Sequence, residues 1–292
     1  MIHIDSILAT TDFSLAARNA AERAAMLAAA IPVRKGVLLH VLEESWPGIL
    51  GQFGASSPRI ERRVADKALR SLDHLTGEIR QLSHFGLEPQ VRIGKILDVI
   101  IEVAADFSLL VLGARGRHPI RAFTLGTTSQ RLLNKTQQSV LVVKRRPNSA
   151  YQRILVAVDF SPHSVKALAY ARAVAPQADI YMTHVFEPQF EKSMVLAGIT
   201  SDVMEEHREK AYQDAQANMT EFIEIAGAGS GKVFHCIERG YAPAKLRENA
   251  RKWDVDLIVV GKRGKSIIEK LLLGSVTMHL LSESKCDVLV AQ

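Results

Sequence analysis

The chain has 292 residues and a mass of 32.2 kDa, with 47% hydrophobic and 23% charged residues and a mean hydropathy of +0.05. That is about twice the usual size of a single domain, roughly 100 to 150 residues, and the composition excludes a disordered or collagen-like chain. The net charge of +6 is spread along the sequence rather than gathered in a stripe, so charge alone leaves a nucleotide or a nucleic acid open as partner. The first half carries +7 and the second −1, dividing near residue 149. The longest apolar run, AAMLAAAIPV at 24–33, falls far short of the roughly 18 to 20 residues that span a bilayer. Asp5 and Asp12 interrupt the N-terminal apolar stretch and no basic leader precedes it, so export is not expected and a cytoplasmic location is. Cys236 and Cys286 lie 50 residues apart without a CxxC motif or a histidine at metal spacing, which argues for buried, inert thiols over a disulfide scaffold or a zinc site.

Taken in order, the pattern alternates short continuous apolar runs with longer helical stretches. ILATT reads as the first strand, and residues 14–30 as an alanine-rich helix with Ser14 as N-cap. GVLLHV is the second strand. The segment 45–58, rich in Gly, Ser and Pro beside Trp46 and Phe53, reads as a flexible surface loop or a lid. Residues 59–82 form a long amphipathic helix and a third helix lies near 95–106. LLVL is the fourth strand, a glycine-rich segment from Gly113 opens a fourth helix, and SVLVV at 139–143 closes the series. Strands this continuously apolar are covered on both faces, which predicts a parallel sheet of five strands built from βαβ units. The junction KRRPNSAYQ at 144–152 is polar and aperiodic, a short linker.

Beyond it the whole pattern repeats. ILATTDFS at 7–14 returns as ILVAVDFS at 154–161, LLHVLE at 38–43 as MTHVFE at 182–187, and Gly94, Gly113 and Gly126 as Gly240, Gly261 and Gly274. Helices are expected again at 163–175, 201–226 and 242–252, and DVLVA at 287–291 repeats SVLVV. The offset between copies drifts between 144 and 148, which marks small loop insertions between duplicated domains, assigned here to 1–146 and 151–292. The last strand of each copy should lie at a sheet edge. Exposed apolar edges tend to be paired, so the two halves are expected to pack as an intramolecular pseudo-dimer, with a homodimer of whole chains also open.

Each glycine segment follows a strand directly and reads G-x2-G-x9-G-[S/T]. Gly113, Gly116, Gly126 and Thr127 fill the pattern first; Gly261, Gly264, Gly274 and Ser275 fill it second. Such glycines allow positive φ and a close backbone approach, and a helix N-terminus that follows them offers N–H donors and a positive dipole end to phosphate. A plainer reading has the glycines only shaping a strand-to-helix turn, with Thr127 and Ser275 as caps. Two copies at identical spacing, each with basic neighbours (Arg115, Arg117 and Arg121; Lys262, Arg263 and Lys265), weigh against it. Neither copy is a GxxxxGK[ST] loop, and neither first strand is followed by GxGxxG, so P-loop ATPase and ordinary dehydrogenase readings lose their support.

The glycine segments, the strand-ending TDFS and VDFS, and the His-Val after the second strand together resemble the universal stress protein family, specifically its tandem members, over essentially all 292 residues. That resemblance implies two α/β domains, each a five-stranded parallel sheet sandwiched by helices in a Rossmann-like, adenine-nucleotide α-hydrolase-like fold, binding ATP, alone or with Mg2+, at the C-terminal edge. It implies an adenine nucleotide as partner, with no nucleic acid and no membrane. It implies that Asp12 and Asp159, with Thr11 and Val158 before them, hold the ribose, and that the backbone at Val41 and Val185 reads adenine. The phosphates would then rest on Gly113, Arg115, Gly116, Gly126, Thr127, Thr128 and Ser129 in the first half, and on Gly261, Arg263, Gly264, Gly274, Ser275, Val276 and Thr277 in the second. Read without the resemblance, the valines are equally strand-core residues and the aspartates equally caps of the helices that follow. The first copy departs from the family pattern in Thr10-Thr11 and Pro119, the second in Ala157-Val158.

The leading functional expectation is a cytoplasmic nucleotide-binding stress sensor or regulator without catalytic or metal-binding residues. The alternatives are a slow ATPase or autophosphorylating enzyme, and an interaction module with empty pockets. For the enzymatic reading the glycine segments offer only His118 as a base, with nothing equivalent in the second.

Overall fold

The structure, a computed structural model, describes residues 2–43, 58–114, 126–188, 191–227, 232–264 and 273–292. The segment 45–57, read above as a loop or lid, and the inner parts of both glycine segments, with Arg115, Gly116, Arg117, His118, Pro119, Arg121 and Lys265, lie outside the described residues.

The first half runs β1 (Ser6–Thr10), α1 (Leu15–Ala30), β2 (Lys35–Glu43), α2 (Pro58–Ser83), β3 (Glu88–Gly94), α3 (Ile96–Ala104), β4 (Leu109–Gly113), α4 (Thr127–Lys135) and β5 (Ser139–Val143). The second runs β6 (Arg153–Val158), α5 (Pro162–Val174), β7 (Asp179–Phe186), α6 (Glu191–Leu196), α7 (Ser201–Ile225), β8 (Val233–Arg239), α8 (Ala242–Lys252), β9 (Leu257–Gly261), α9 (Ser275–Glu283) and β10 (Asp287–Ala291). Among the described elements, the short α6 has no place in the sequence pattern, and β3 and β8 are counted there without a segment of their own. Ser14 caps α1 as its residue type predicts, its Oγ accepting the Ala17 N–H at 3.2 Å. Most of the buried face of α1 is alanine, and these small side chains let the helix lie close against β1 and β4.

Within each half the strands pair in parallel, in the order β3-β2-β1-β4-β5 and its repeat β8-β7-β6-β9-β10. Alternate strand residues serve opposite faces. Ile7, Ala9, Leu109 and Val111 pack beneath α1 and α2, whereas Leu8, Leu110 and Leu112 pack beneath α3 and α4. Both cores continue without a break into the second half, where α5 and α7 cover one face and α8 and α9 the other.

The terminal strands end their own five-stranded sheets, as expected, and are paired with each other. β5 pairs antiparallel with β10, setting Val140 opposite Val290, Leu141 opposite Leu289 and Val142 opposite Val288, so the halves share one ten-stranded sheet whose outer strands are β3 and β8. Every residue of β5 and β10 is buried. The pseudo-dimer is thus a continuous sheet.

Polar groups finish this seam in pairs. Asp287 Oδ1 accepts the Lys144 N–H at 2.8 Å, and its counterpart Ser139 Oγ accepts the Gln292 N–H at 3.1 Å. Two lysines then cross over. Lys144 Nζ donates to the Leu280 and Ser284 carbonyls at the end of α9, and Lys262 Nζ donates to the Asn134 and Thr136 carbonyls at the end of α4 and to Gln292 Oε1. A cation at a helix C-terminus satisfies carbonyls that lack an intrahelical partner and opposes the negative end of the dipole. The stretch 144–152 is therefore more than a spacer: besides Lys144 it supplies Tyr151, buried, whose hydroxyl donates to Asp287 Oδ2 at 2.7 Å while Arg23 stacks on its ring at 4.0 Å. Burial raises the pKa of Asp287 and raises that of the Tyr151 hydroxyl well above its ordinary value.

Two expectations follow. Asp287 also pairs with buried Arg23 at 3.5 Å, so replacing it by Ala removes the countercharge of Arg23 and the acceptor of the Tyr151 hydroxyl, and urea denaturation should show a loss of about 3 to 5 kcal/mol. Burial first, and then the charge of Arg263, lowers the Lys262 pKa from 10.5 to about 8. Between those values the unfolded chain holds the proton more tightly than the folded one, so this lysine's contribution to stability rises as pH climbs through 8. The stability of the parent chain relative to Lys262→Met should accordingly increase between pH 7 and pH 9.5, measured by denaturant titration at each pH.

Candidate functional site

In each half the chain runs outward from the central strand through β2 and β3, or β7 and β8, and then crosses back to β4 or β9 on the other side, which opens a crevice at the C-terminal ends of the strands. The first wall is the turn after β1. The Thr11 N–H extends the ladder to the Leu39 carbonyl at 2.9 Å; Thr11 Oγ1 then accepts the Phe13 N–H, and Asp12 Oδ1 the Ser14 N–H, both at 2.9 Å. Phe13 between them sits at φ +62°. A bulky residue there costs about 1 to 3 kcal/mol and persists only where its surroundings hold it. His40 does so: its Nδ1 donates to the Thr11 carbonyl at 2.8 Å, and its ring packs tilted against Phe13 with centroids 4.6 Å apart.

The second half rebuilds the same turn with a different sequence around it. Phe160 sits at φ +61°, and His184 Nδ1 donates to the Val158 carbonyl at 2.8 Å with its ring 4.2 Å from that of Phe160. Here Asp159 Oδ1 accepts more: the Ser161 N–H at 3.1 Å and the hydroxyls of Ser161 and Ser164, each at 2.6 Å. Neither aspartate is the helix cap that the plainer reading makes it: the caps are Ser14 and Ser161, and Asp12 and Asp159 accept the N–H of those cap residues, with both carboxylates standing at the crevice.

The second wall is the strand-end glycine. A Cβ on Gly113 would lie 2.7 Å from the carbonyl carbon and oxygen of Ala16, and one on Gly261 would lie 2.8 Å from His163 Cβ. These glycines let the first turn of α1 or α5 sit directly on the end of β4 or β9. Close approach, not backbone handedness, is their use: none of Gly113, Gly126, Gly261, Gly264 and Gly274 adopts a positive φ, contrary to the expectation. The glycine-segment ends are then tied back identically. The N–H of Gly126 donates to the Ala114 carbonyl at 2.9 Å, and that of Gly274 to the Lys262 carbonyl at 3.0 Å. Ser129 Oγ donates to the Gly113 carbonyl at 3.2 Å, and Thr277 Oγ1 to the Gly261 carbonyl at 2.9 Å.

The helix caps also differ from expectation. Gly126 and Gly274 are themselves the N-caps of α4 and α9, so Thr127 and Ser275 are the first helical residues, with Thr128, Ser129, Val276 and Thr277 completing the turn. A glycine cap brings no side-chain acceptor, which leaves the first N–H groups of each helix facing the crevice. In the second half the two walls meet, since a Cβ on Gly264 would fall 2.7 Å from Asp159 Oδ2.

Other residues sort differently. Lys262, counted above among the basic neighbours, is buried with its ammonium turned into the seam, and is not a group of the crevice. Arg263 remains beside it, half-buried. Val41 and Val185 pack partly into the core as strand residues. Backbone groups of a strand alternate in direction, so those of Val41 point the same way as the Leu39 carbonyl, past the end of β1 and into the crevice. His163 is the residue that sequence reading misses. Its counterpart at the repeat offset of 147 is Ala16, and that alignment is the signal that could have found it. A cavity of about 370 Å3 lined by Gln152, Arg153, Asp179 and Asp256 lies at the opposite, N-terminal edge of β6 and β7. Among the described residues no group of His, Cys, Asp and Glu could hold a metal ion, and no helix is long and apolar enough to cross a membrane.

The model of the universal stress protein family matches residues 3–144 and again 150–292. A universal stress protein of Mycolicibacterium smegmatis is 26% identical over 289 residues, covering 96% of this chain and 94% of the relative. Universal stress protein A homolog 2 of Coxiella burnetii is 30% identical over 151 residues, which is 49% of this chain and 95% of that shorter protein. The crystal structure of a universal stress protein from Archaeoglobus fulgidus superimposes with a TM-score of 0.74 at 21% identity, covering 100% of this chain and 99% of the other. With two successive matches covering nearly all of its length, the chain belongs to the universal stress protein family, as a member that carries two copies of the family's domain in tandem.

Proposed function

We propose that this protein binds an adenine nucleotide, ATP with or without Mg2+, at each of its two crevices, and acts as a cytoplasmic sensor or regulator rather than as an enzyme. The observation that carries the reading is the repeated convergence, at one sheet edge, of a strand-one carboxylate, a strand-end glycine and a helix N-terminus with a glycine cap. Asp12 and Asp159 would accept the ribose hydroxyls through carboxylate oxygen, and the backbone of Val41 and Val185 would meet the adenine edge. The first turns of α4 and α9 would receive the phosphates, where N–H donors and the positive dipole end favour anions. Arg263, and Arg115 in the first half, would add charge. In this reading the domains are 1–146 and 151–292, each complete in its own pocket.

Calorimetric titration of the purified chain with ATP should give two equivalents bound. Gly126→Leu and Gly274→Leu should each abolish one of them, because a large side chain would fill the space before the helix N-terminus. Gly264→Ala, whose new methyl meets Asp159, should weaken the second site roughly tenfold and leave the first intact. Absence of adenine-nucleotide affinity in the parent chain, or full affinity in both leucine variants, would refute the proposal.

A further inference from the structure

Among the described residues, a titratable side chain separates the first turns of the two helices that follow the first strand of each half. Position 163, the second residue of α5, is histidine where the matching residue of α1 is Ala16. The ring is rooted at the strand-end glycine, with its Cβ 2.8 Å from where a Cβ on Gly261 would lie, so it stands where β9 passes into the second glycine segment. Its Nδ1 is buried and has no hydrogen-bond partner among the described residues. The charged groups acting on it come from each surrounding element: Lys166 from the same helix, Arg263 from the segment after β9, and Asp159 from the turn after β6.

A buried ring nitrogen without a partner among the described residues, against the strand-end Gly261 and near Arg263, is an incomplete arrangement that an incoming anion completes. We propose that His163 is the phosphate-facing imidazole of the second site, and that it takes up a proton when a nucleotide polyphosphate fills that site. This inference rests on the nucleotide reading of the second crevice. In the empty site, burial first, then Lys166 and Arg263, hold the imidazole pKa below its ordinary value, with Asp159 opposing them, so the ring is mainly neutral near pH 7. A polyphosphate brings negative charge to the same place and reverses the balance. The imidazolium then donates to a phosphate oxygen, and the proton comes from solvent. The second site is thereby tuned to the charge of the phosphate chain and strengthens as pH falls, whereas the first, with alanine, has no such dependence from this position.

The test is calorimetry of ATP binding to the full chain at pH 6.5 in buffers of different ionisation enthalpy. It compares the parent with His163→Ala, which copies the first half, and with His163→Gln, which preserves polarity. Reading the proton balance as a difference between proteins cancels the ionisation of ATP itself. The parent should take up roughly 0.3 to 1 proton more per chain than either variant, and its second-site affinity should gain several-fold more between pH 7.5 and pH 6. Equal proton uptake in parent and variants, with ATP still bound, would overturn the role of His163 while leaving the nucleotide reading intact. Failure of the parent chain to bind ATP at all would overturn both.

Discussion

Antiparallel pairing of β5 with β10 is the constraint on which the rest of the architecture depends. Each five-stranded parallel sheet ends on a strand of unbroken Val and Leu, and such an edge left in water is both costly and adhesive. Joining the two edges removes both at once and makes the cores on either face continuous through the molecule. The main-chain register then decides which side chains meet at the seam. Asp287 and Ser139 each receive the N–H that follows the opposing strand, and Lys144 and Lys262 each reach the last turn of a helix in the other half. Helices α4 and α9 therefore run from their own crevice at the N-terminus to the opposite half at the C-terminus. Each glycine cap thus opens a helix whose far end is held by a lysine of the other half.

Duplication has preserved the frame and let its fittings diverge. The turn after the first strand keeps its phenylalanine at positive φ and its histidine clamp in both copies, although the residues before the aspartate changed from Thr11 to Val158. Elsewhere the pairs are unlike: Ser139 against Asp287, Ala114 against Lys262, Ala17 against Ser164, Ala16 against His163. The halves also differ in net charge, +7 against −1. Basicity is therefore not what marks the crevices; backbone donors and close glycine contacts are, and these are shared.

Periodicity and repetition made the strands, the long helices, the Ser14 cap and the doubling of the domain readable before any coordinates, because those depend on neighbours in sequence. Features that depend on neighbours in space were not readable. Nothing local tells Lys262 from Arg263, yet the register of β9 against β10 turns the first into the seam and leaves the second beside the crevice. Tyr151 looks like linker until Asp287 arrives beneath it from a strand more than a hundred residues later. The segment glycines were visible, but their reason was misread: φ is ordinary at each described one, and the need is for a surface that α1 or α5 can touch. Positive φ belongs instead to Phe13 and Phe160, residue types that give no warning of it.

The most direct test of the central claim, that one nucleotide-binding frame is written twice in this chain, is a crystal structure grown with ATP. Nucleotide density is predicted at both C-terminal edges, the ribose against Asp12 and Asp159 and the phosphates at the first turns of α4 and α9. Nucleotide bound at the N-terminal edge or along the seam, or crystals grown at saturating ATP with both crevices empty, would contradict it.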